Sequence, residues 1–282
     1  MAPPEKRVRK KEHRDAIVAA REAALRRRRN VRLGAALVVV GALVGLAIFN
    51  SKDEGPNTQA GGKPATTPGG SPAPTAPPTA SSDEAACGAK PPKPASPKTD
   101  YKEPEQVLKD GVDYGAVINT SCGPIEIDLL EDDTPETVND FVFLAQEGYY
   151  DGLIWHRIEQ NSVLQSGDPD GLNGTPPDGP GYTIKDELPT KSKEYVYGVV
   201  GMANSGPNTG GSQFFIVIHK NRPAGYQPFY AIFGRVIGTE DGSTNDVLEK
   251  LGALPTNASA PPPENVKPLV PAYIESIEIT EN

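Results

Sequence analysis

The chain is poor in the residues that most catalytic chemistry uses. Its 282 residues include two cysteines, three histidines, two methionines and one tryptophan. Cys87 and Cys122 allow one disulfide at most, which excludes a disulfide scaffold and fits no metal-ligand spacing. His13, His156 and His219 are scattered along the chain, so no structural or catalytic metal site is expected. Positive charge is also scarce outside one end. Residues 1–32 hold twelve Lys/Arg against four Asp/Glu, so the rest carries −17 of a net −9. An acidic body of that kind argues against nucleic acid as a partner.

One uninterrupted apolar run stands out. Residues 33–49 (LGAALVVVGALVGLAIF) contain no charge and reach the short end of a membrane span. A charged block precedes the run and a Pro-rich stretch follows it, and neither could cover a buried core helix. Arg26–Arg29 and Arg32 lie just before it and Lys52 just after, which predicts a cytoplasmic N-terminus, a single pass through the cell membrane and an extracytoplasmic remainder. A cleaved signal peptide is the alternative. The charged region is long for one and no A-x-A-like site follows Phe49, although Arg28-Arg29 is a twin-arginine hint.

Thirty prolines and 29 glycines are too many for one compact domain. Residues 50–99 are dominated by Pro, Ala, Gly, Ser and Thr and lack any apolar period, which predicts an extended, disordered tether. The chain thus divides into a basic, helix-forming cytoplasmic segment (1–32), a transmembrane helix (33–49), a linker (50–111) and a folded domain (112–282). Outside the membrane Cys87 and Cys122 can pair, pinning the tether to the domain; two free thiols are the alternative.

From residue 112 the pattern is β. Strands are expected at 116–119, 125–129, 154–158, 163–165, 196–202, 212–218, 231–236 and 273–279. Thr134-Pro135 opens a helix, with Thr134 as N-cap, and Val138, Phe141, Val142 and Ala145 form its buried stripe. A second helix is expected at 245–251. Between two of the strands lies GMANSGPNTGGSQFF (201–215), a loop dense in amides and hydroxyls with no charge. Such a surface can hydrogen-bond an extended peptide backbone without demanding a charged side chain. Upstream, WHRIEQNSVLQSGD (155–168) sets an Arg on one strand and a Gln on the next.

These two stretches, with Phe233-Gly234-Arg235-Val236, closely resemble the cyclophilin family of peptidyl-prolyl cis–trans isomerases. The resemblance covers roughly residues 112–279. It implies a mainly β fold, a closed eight-stranded antiparallel β-barrel with two capping helices. It also implies proline-containing polypeptides as ligands and a reaction that makes no bond and so needs no cofactor. By resemblance Arg157 is the catalytic guanidinium and Gln165 steadies it. His156, Val163, Ala203, Asn204, Gln213, Phe215 and Tyr230 line the peptide groove and the proline slot. Two departures weaken the match. Ser162-Val163 stands where the family commonly has Phe-Met, and the family's Trp beyond the Phe215 strand is missing, leaving Tyr226 or Phe229 to line the slot. A catalytically weak proline-peptide binding module, or a chaperone on a membrane tether, is therefore the alternative to an isomerase that speeds the folding of exported proteins.

Overall fold

The computed structural model describes residues 84–93, 99–170, 179–189, 195–220, 227–239, 243–262 and 264–282. The basic segment, the apolar run 33–49, linker residues 50–83 and 94–98, and Tyr226 lie outside the described residues. Among the described residues no helix is long and apolar enough to cross a membrane.

Among the described residues eight strands make one antiparallel sheet: β1 (Tyr114–Thr120), β2 (Gly123–Leu129), β3 (Arg157–Glu159), β4 (Val163–Ser166), β5 (Val199–Met202), β6 (Phe214–Val217), β7 (Ile232–Val236) and β8 (Ile274–Glu281). Their spatial order is β3-β4-β6-β5-β7-β2-β1-β8. The expected closed barrel is not formed. The sheet is a curled half-barrel, and its edge strands β3 and β8 are not joined by a ladder. Short β3 is the physical reason. The chain just before it meets the chain around the start of β8 only through one bridge, Ile154 to Tyr273, and bonds such as Trp155 N–H to the Ala272 carbonyl (2.8 Å). β5 also starts later than the expected 196, because Gly198 turns the chain at φ +82° with no room for a Cβ beside Thr239.

Among the described residues two α-helices, α1 (Pro135–Gln146) and α2 (Asp246–Gly252), accompany the sheet. The stripe expected on α1 is buried, and Phe141 sits in an aromatic cluster with Tyr150, Phe214 and Phe233 at centroid distances of 5.1–5.7 Å. Asn245 caps α2 through its side chain, accepting from the Val247 and Leu248 N–H groups at 2.9 and 3.3 Å. Thr134 is the N-cap residue of α1, as expected, but its side chain makes no capping bond. Thr134 Oγ1 turns away to the Leu130 and Ile232 carbonyls, both 3.3 Å away. Glu187 takes over from fifty residues downstream, its carboxylate accepting from the Glu136 and Thr137 N–H groups (3.1 and 2.8 Å) and from Thr137 Oγ1 (2.7 Å). A carboxylate suits the positive end of the helix dipole.

The end of the expected linker lies on the domain. Asn139 of α1 accepts from the Val107 and Leu108 N–H groups and donates to the Glu105 carbonyl. Tyr101 packs its ring on Phe143 and donates to Glu147. Further upstream Cys87 is bonded to Cys122 in the β1–β2 turn (Cα–Cα 5.2 Å), and the Ala86 N–H donates to the Pro271 carbonyl at 2.8 Å.

Two predictions follow from α1. Glu187→Ala removes the acceptor for two helix-terminal N–H groups and should cost about 1–2 kcal/mol of stability, read by denaturant unfolding. Asp140, a residue of the same helix, is buried, with Tyr182 Oη donating to it at 2.6 Å. Burial lifts its pKa to about 7, partly offset by that hydrogen bond. A carboxyl whose pKa is higher folded than unfolded binds its proton more tightly in the native state, so its contribution is present below pH about 4 and lost as pH rises to about 7. The thermal midpoint of the wild type should therefore fall between pH 4.5 and 7.5 relative to that of Asp140→Asn, and parallel profiles would contradict this.

Candidate functional site

The site is a row of residues running across five strands. Arg157 on β3 pairs with Gln165 on β4, Gln165 pairs with Phe215 on β6, and Phe215 pairs with Gly201 on β5. Gly201 in turn faces Ile232 on β7. Cross-strand partners project from the same face of a sheet, so one row presents a cation, an amide and an aromatic ring side by side. The opposite face of the same strands carries Ile158, Leu164, Phe214, Ile216 and Val200, which belong to the main core.

The polar half of the row is a directional chain. Arg157 Nη1 donates to Gln165 Oε1 at 3.1 Å, Gln165 Nε2 to Gln213 Oε1 at 2.9 Å, and Gln213 Nε2 to Asp168 Oδ2 at 3.1 Å. Asp168 is fully buried, and its other oxygen accepts from the Asp170 N–H at 3.0 Å. Because each amide both accepts and donates, the chain fixes which way Gln165 and Gln213 face. Arg157 stays 40% exposed, so a ligand can reach it.

The apolar half is a second, smaller cluster on this outer face. Val163, Tyr195, Val199, Phe215 and Val217 are buried in it, while Val196, Ala203, Tyr230 and Ile232 are half-buried and form its surface. Tyr230 meets the Phe215 ring edge-on at 5.3 Å. Tyr195 Oη holds the Tyr230 backbone from both sides, donating to its carbonyl at 2.7 Å and accepting from its N–H at 3.1 Å. Gly201 makes the seat. A Cβ there would stand 2.5–3.0 Å from the Phe215 ring atoms, so only glycine lets the ring lie across β5. The rim is polar: the Ala203 N–H donates to the Gln213 carbonyl at 2.9 Å, and Asn204 Nδ2 donates to the Phe229 carbonyl at 2.7 Å.

The structure thus brings Arg157, Gln165, Val163, Ala203, Asn204, Gln213, Phe215 and Tyr230 together. His156 lies one residue before β3, half-buried, and its Nδ1 is buried without a hydrogen-bond partner. Burial first, then Arg157 and Lys267, lowers its pKa to about 4, so the ring is neutral at pH 7. Ser162 leaves the wall beside Val163 small, as its identity implies, and its backbone bonds to the Glu159 carbonyl and the Ile218 N–H. Among the described residues no group of three or more His, Cys, Asp or Glu could hold a metal. Sequence reasoning missed Tyr195 and Glu159. The only available signals were a Tyr at the start of an apolar run and an acidic residue two positions after the Arg.

A profile described as cyclophilin type peptidyl-prolyl cis-trans isomerase/CLD matches residues 116–278. The chain belongs to this family. Cyclophilins of this class catalyse peptidyl-prolyl cis–trans isomerisation, EC 5.2.1.8. Curated relatives include a peptidyl-prolyl cis-trans isomerase-like 1 of Aspergillus fumigatus, 38% identical over 152 residues that cover 54% of this chain and 89% of that one. A human peptidyl-prolyl cis-trans isomerase-like 3 is 36% identical over 165 residues, 58% of this chain and 95% of the relative. A crystal structure of a Cryptosporidium parvum cyclophilin type isomerase is similar at TM-score 0.50 and 30% identity, covering 60% of this chain and 99% of that one. The same protein has been crystallised in the presence of the dipeptide Ala-Pro.

For this cyclophilin, Gly201→Ala should displace the Phe215 ring at a cost of about 1–3 kcal/mol. Weaker binding of an X–Pro peptide, together with shifted Phe215 ring resonances, is the expected result. Unmoved resonances would show that the ring does not depend on that seat.

Proposed function

We propose that the domain catalyses prolyl isomerisation by holding the proline ring on the Phe215–Tyr230 slot while Arg157 stabilises the twisted amide. Resonance gives the X–Pro bond a rotation barrier of about 18–20 kcal/mol, and exchange without a catalyst takes tens of seconds or more. A 10⁴-fold acceleration requires about 5.4 kcal/mol of selective transition-state stabilisation. Twisting the amide localises a lone pair on the prolyl nitrogen. A guanidinium N–H beside that nitrogen hydrogen-bonds the lone pair only when it is released, which is binding specific to the transition state. The reaction moves no proton and exchanges no group.

The observation that carries this reading is the shared row: Gln165 is the cross-strand partner of both Arg157 and Phe215. One pleat therefore sets the distance between cation and slot. Gln165 and Gln213 position the guanidinium through their chain to Asp168, while Ala203, Asn204 and Gln213 offer the polar rim that an extended peptide needs. Val163 and Tyr230 flank the ring.

The setting we propose is a membrane-anchored cyclophilin of bacterial type, which acts on exported polypeptides as they fold outside the cytoplasm. The charge-free run 33–49 with arginines on its N-terminal side supports it. A Cys87–Cys122 disulfide is in keeping with an oxidising compartment. Protease added to intact cells should then remove residues 112–282 and spare an N-terminal tag; protection of the domain would contradict this orientation.

The catalytic reading is tested by a protease-free isomerase assay on a short X–Pro peptide. Arg157→Ala should lower kcat/KM by about ten-fold or more with the fold intact. Wild type and variant both running at the buffer rate would leave the groove as a peptide-capture site without turnover.

A further inference from the structure

β3 brings a second charged residue to the face that carries Arg157. The strand is only Arg157-Ile158-Glu159, and with Ile158 in the core its two neighbours must share the outer face. Glu159 heads the next row of the sheet, opposite Val163, which itself faces Val217. Its Oε2 lies 2.5 Å from Arg157 Nη2, while Arg157 Nη1 reaches Gln165 at 3.1 Å. The two terminal nitrogens are therefore held from two directions, by a charged acceptor along the strand and a neutral one across it. A guanidinium is planar and has five N–H donors, so two anchored ends fix its plane and leave three donors free.

We propose that Glu159 is a positioning residue for the isomerase reaction, clamping the Arg157 guanidinium against Gln165 so that its free N–H groups point at the slot. The inference rests on the isomerase reading above. Both side chains are substantially exposed, Arg157 at 40% and Glu159 at 43%, so the pair adds little to stability. Its value lies in order. A long, rotamer-rich side chain held by Gln165 alone would sample other orientations, and a transition-state hydrogen bond weakens when its donor must first be aligned. A carboxylate could instead simply draw charge from the guanidinium and slow the reaction. The two effects have opposite signs, which makes the proposal decidable.

The test compares Glu159→Ala and Glu159→Gln in the full-length protein, with two independent readouts. The first is kcat and KM on one X–Pro peptide. The second is the ¹⁵N order parameter of the Arg157 Nε–Hε group without peptide, with the resonance assigned by its loss in Arg157→Ala. Glu159→Ala should lower kcat about three- to ten-fold with KM changed by less than about two-fold, and should lower the order parameter. Glu159→Gln keeps an acceptor at the same reach and should recover most of both. Unchanged or faster turnover in Glu159→Ala, an unchanged order parameter, or a Gln variant as impaired as the Ala variant would overturn the proposal. If the wild type itself fails to turn over the peptide, the isomerase reading fails, and the order parameter still decides whether Glu159 holds Arg157.

Discussion

Everything in the groove depends on the register at Gln165. It is paired on one side with Arg157 and on the other with Phe215, so the spacing of cation and ring is set by strand pairing rather than by a loop. A slip of one residue on β4 would send Gln165 into the core and bring Leu164 out. The fully buried partners Ile158, Leu164, Phe214 and Ile216 on the other face forbid that slip. The core therefore protects the site without touching it. The chain from Gln165 through Gln213 to buried Asp168 then converts a register into an orientation.

The walls of the site are held by contacts distant in sequence. Pro180 adjoins Gly211 of the groove loop, and Gly181 beside it meets the backbone of residues 99–101; the Tyr101 N–H donates to the Pro180 carbonyl at 3.0 Å. Tyr182 ties the same segment to Asp140, and Glu187 ties its far end to the start of α1. Asp186 and Asn208 exchange two hydrogen bonds, at 3.1 and 2.8 Å, that join this strut to the uncharged loop. α1 thus anchors both the chain entering the domain and one wall of the groove.

Much of this was legible in the sequence because it is local. Alternation along 125–129 and 163–165, the apolar stripe of Val138, Phe141 and Val142, and the order of the motif blocks need only neighbouring residues to be read. The family resemblance carried by those blocks named Arg157, Gln165, Gln213 and Phe215, and the structure sets them side by side. What escaped is nonlocal. Thr134 is the N-cap residue, but the acceptor for the helix-end N–H groups is Glu187, about fifty residues downstream. Gly201 looks like one more loop glycine until the Phe215 ring is seen lying over it. An open half-barrel and a closed barrel share the same strand pattern, and only the pairing of the edge strands separates them.

The central claim is that one row of the sheet grips the proline ring and the twisting amide together. A crystal structure of the protein with a bound Ala-Pro-containing peptide tests it most directly. The account predicts the pyrrolidine ring against Phe215 and Tyr230, with an Arg157 nitrogen within hydrogen-bonding distance of the prolyl nitrogen. A proline ring bound elsewhere, or an Arg157 that contacts only Glu159 and leaves the prolyl nitrogen unattended, would contradict it.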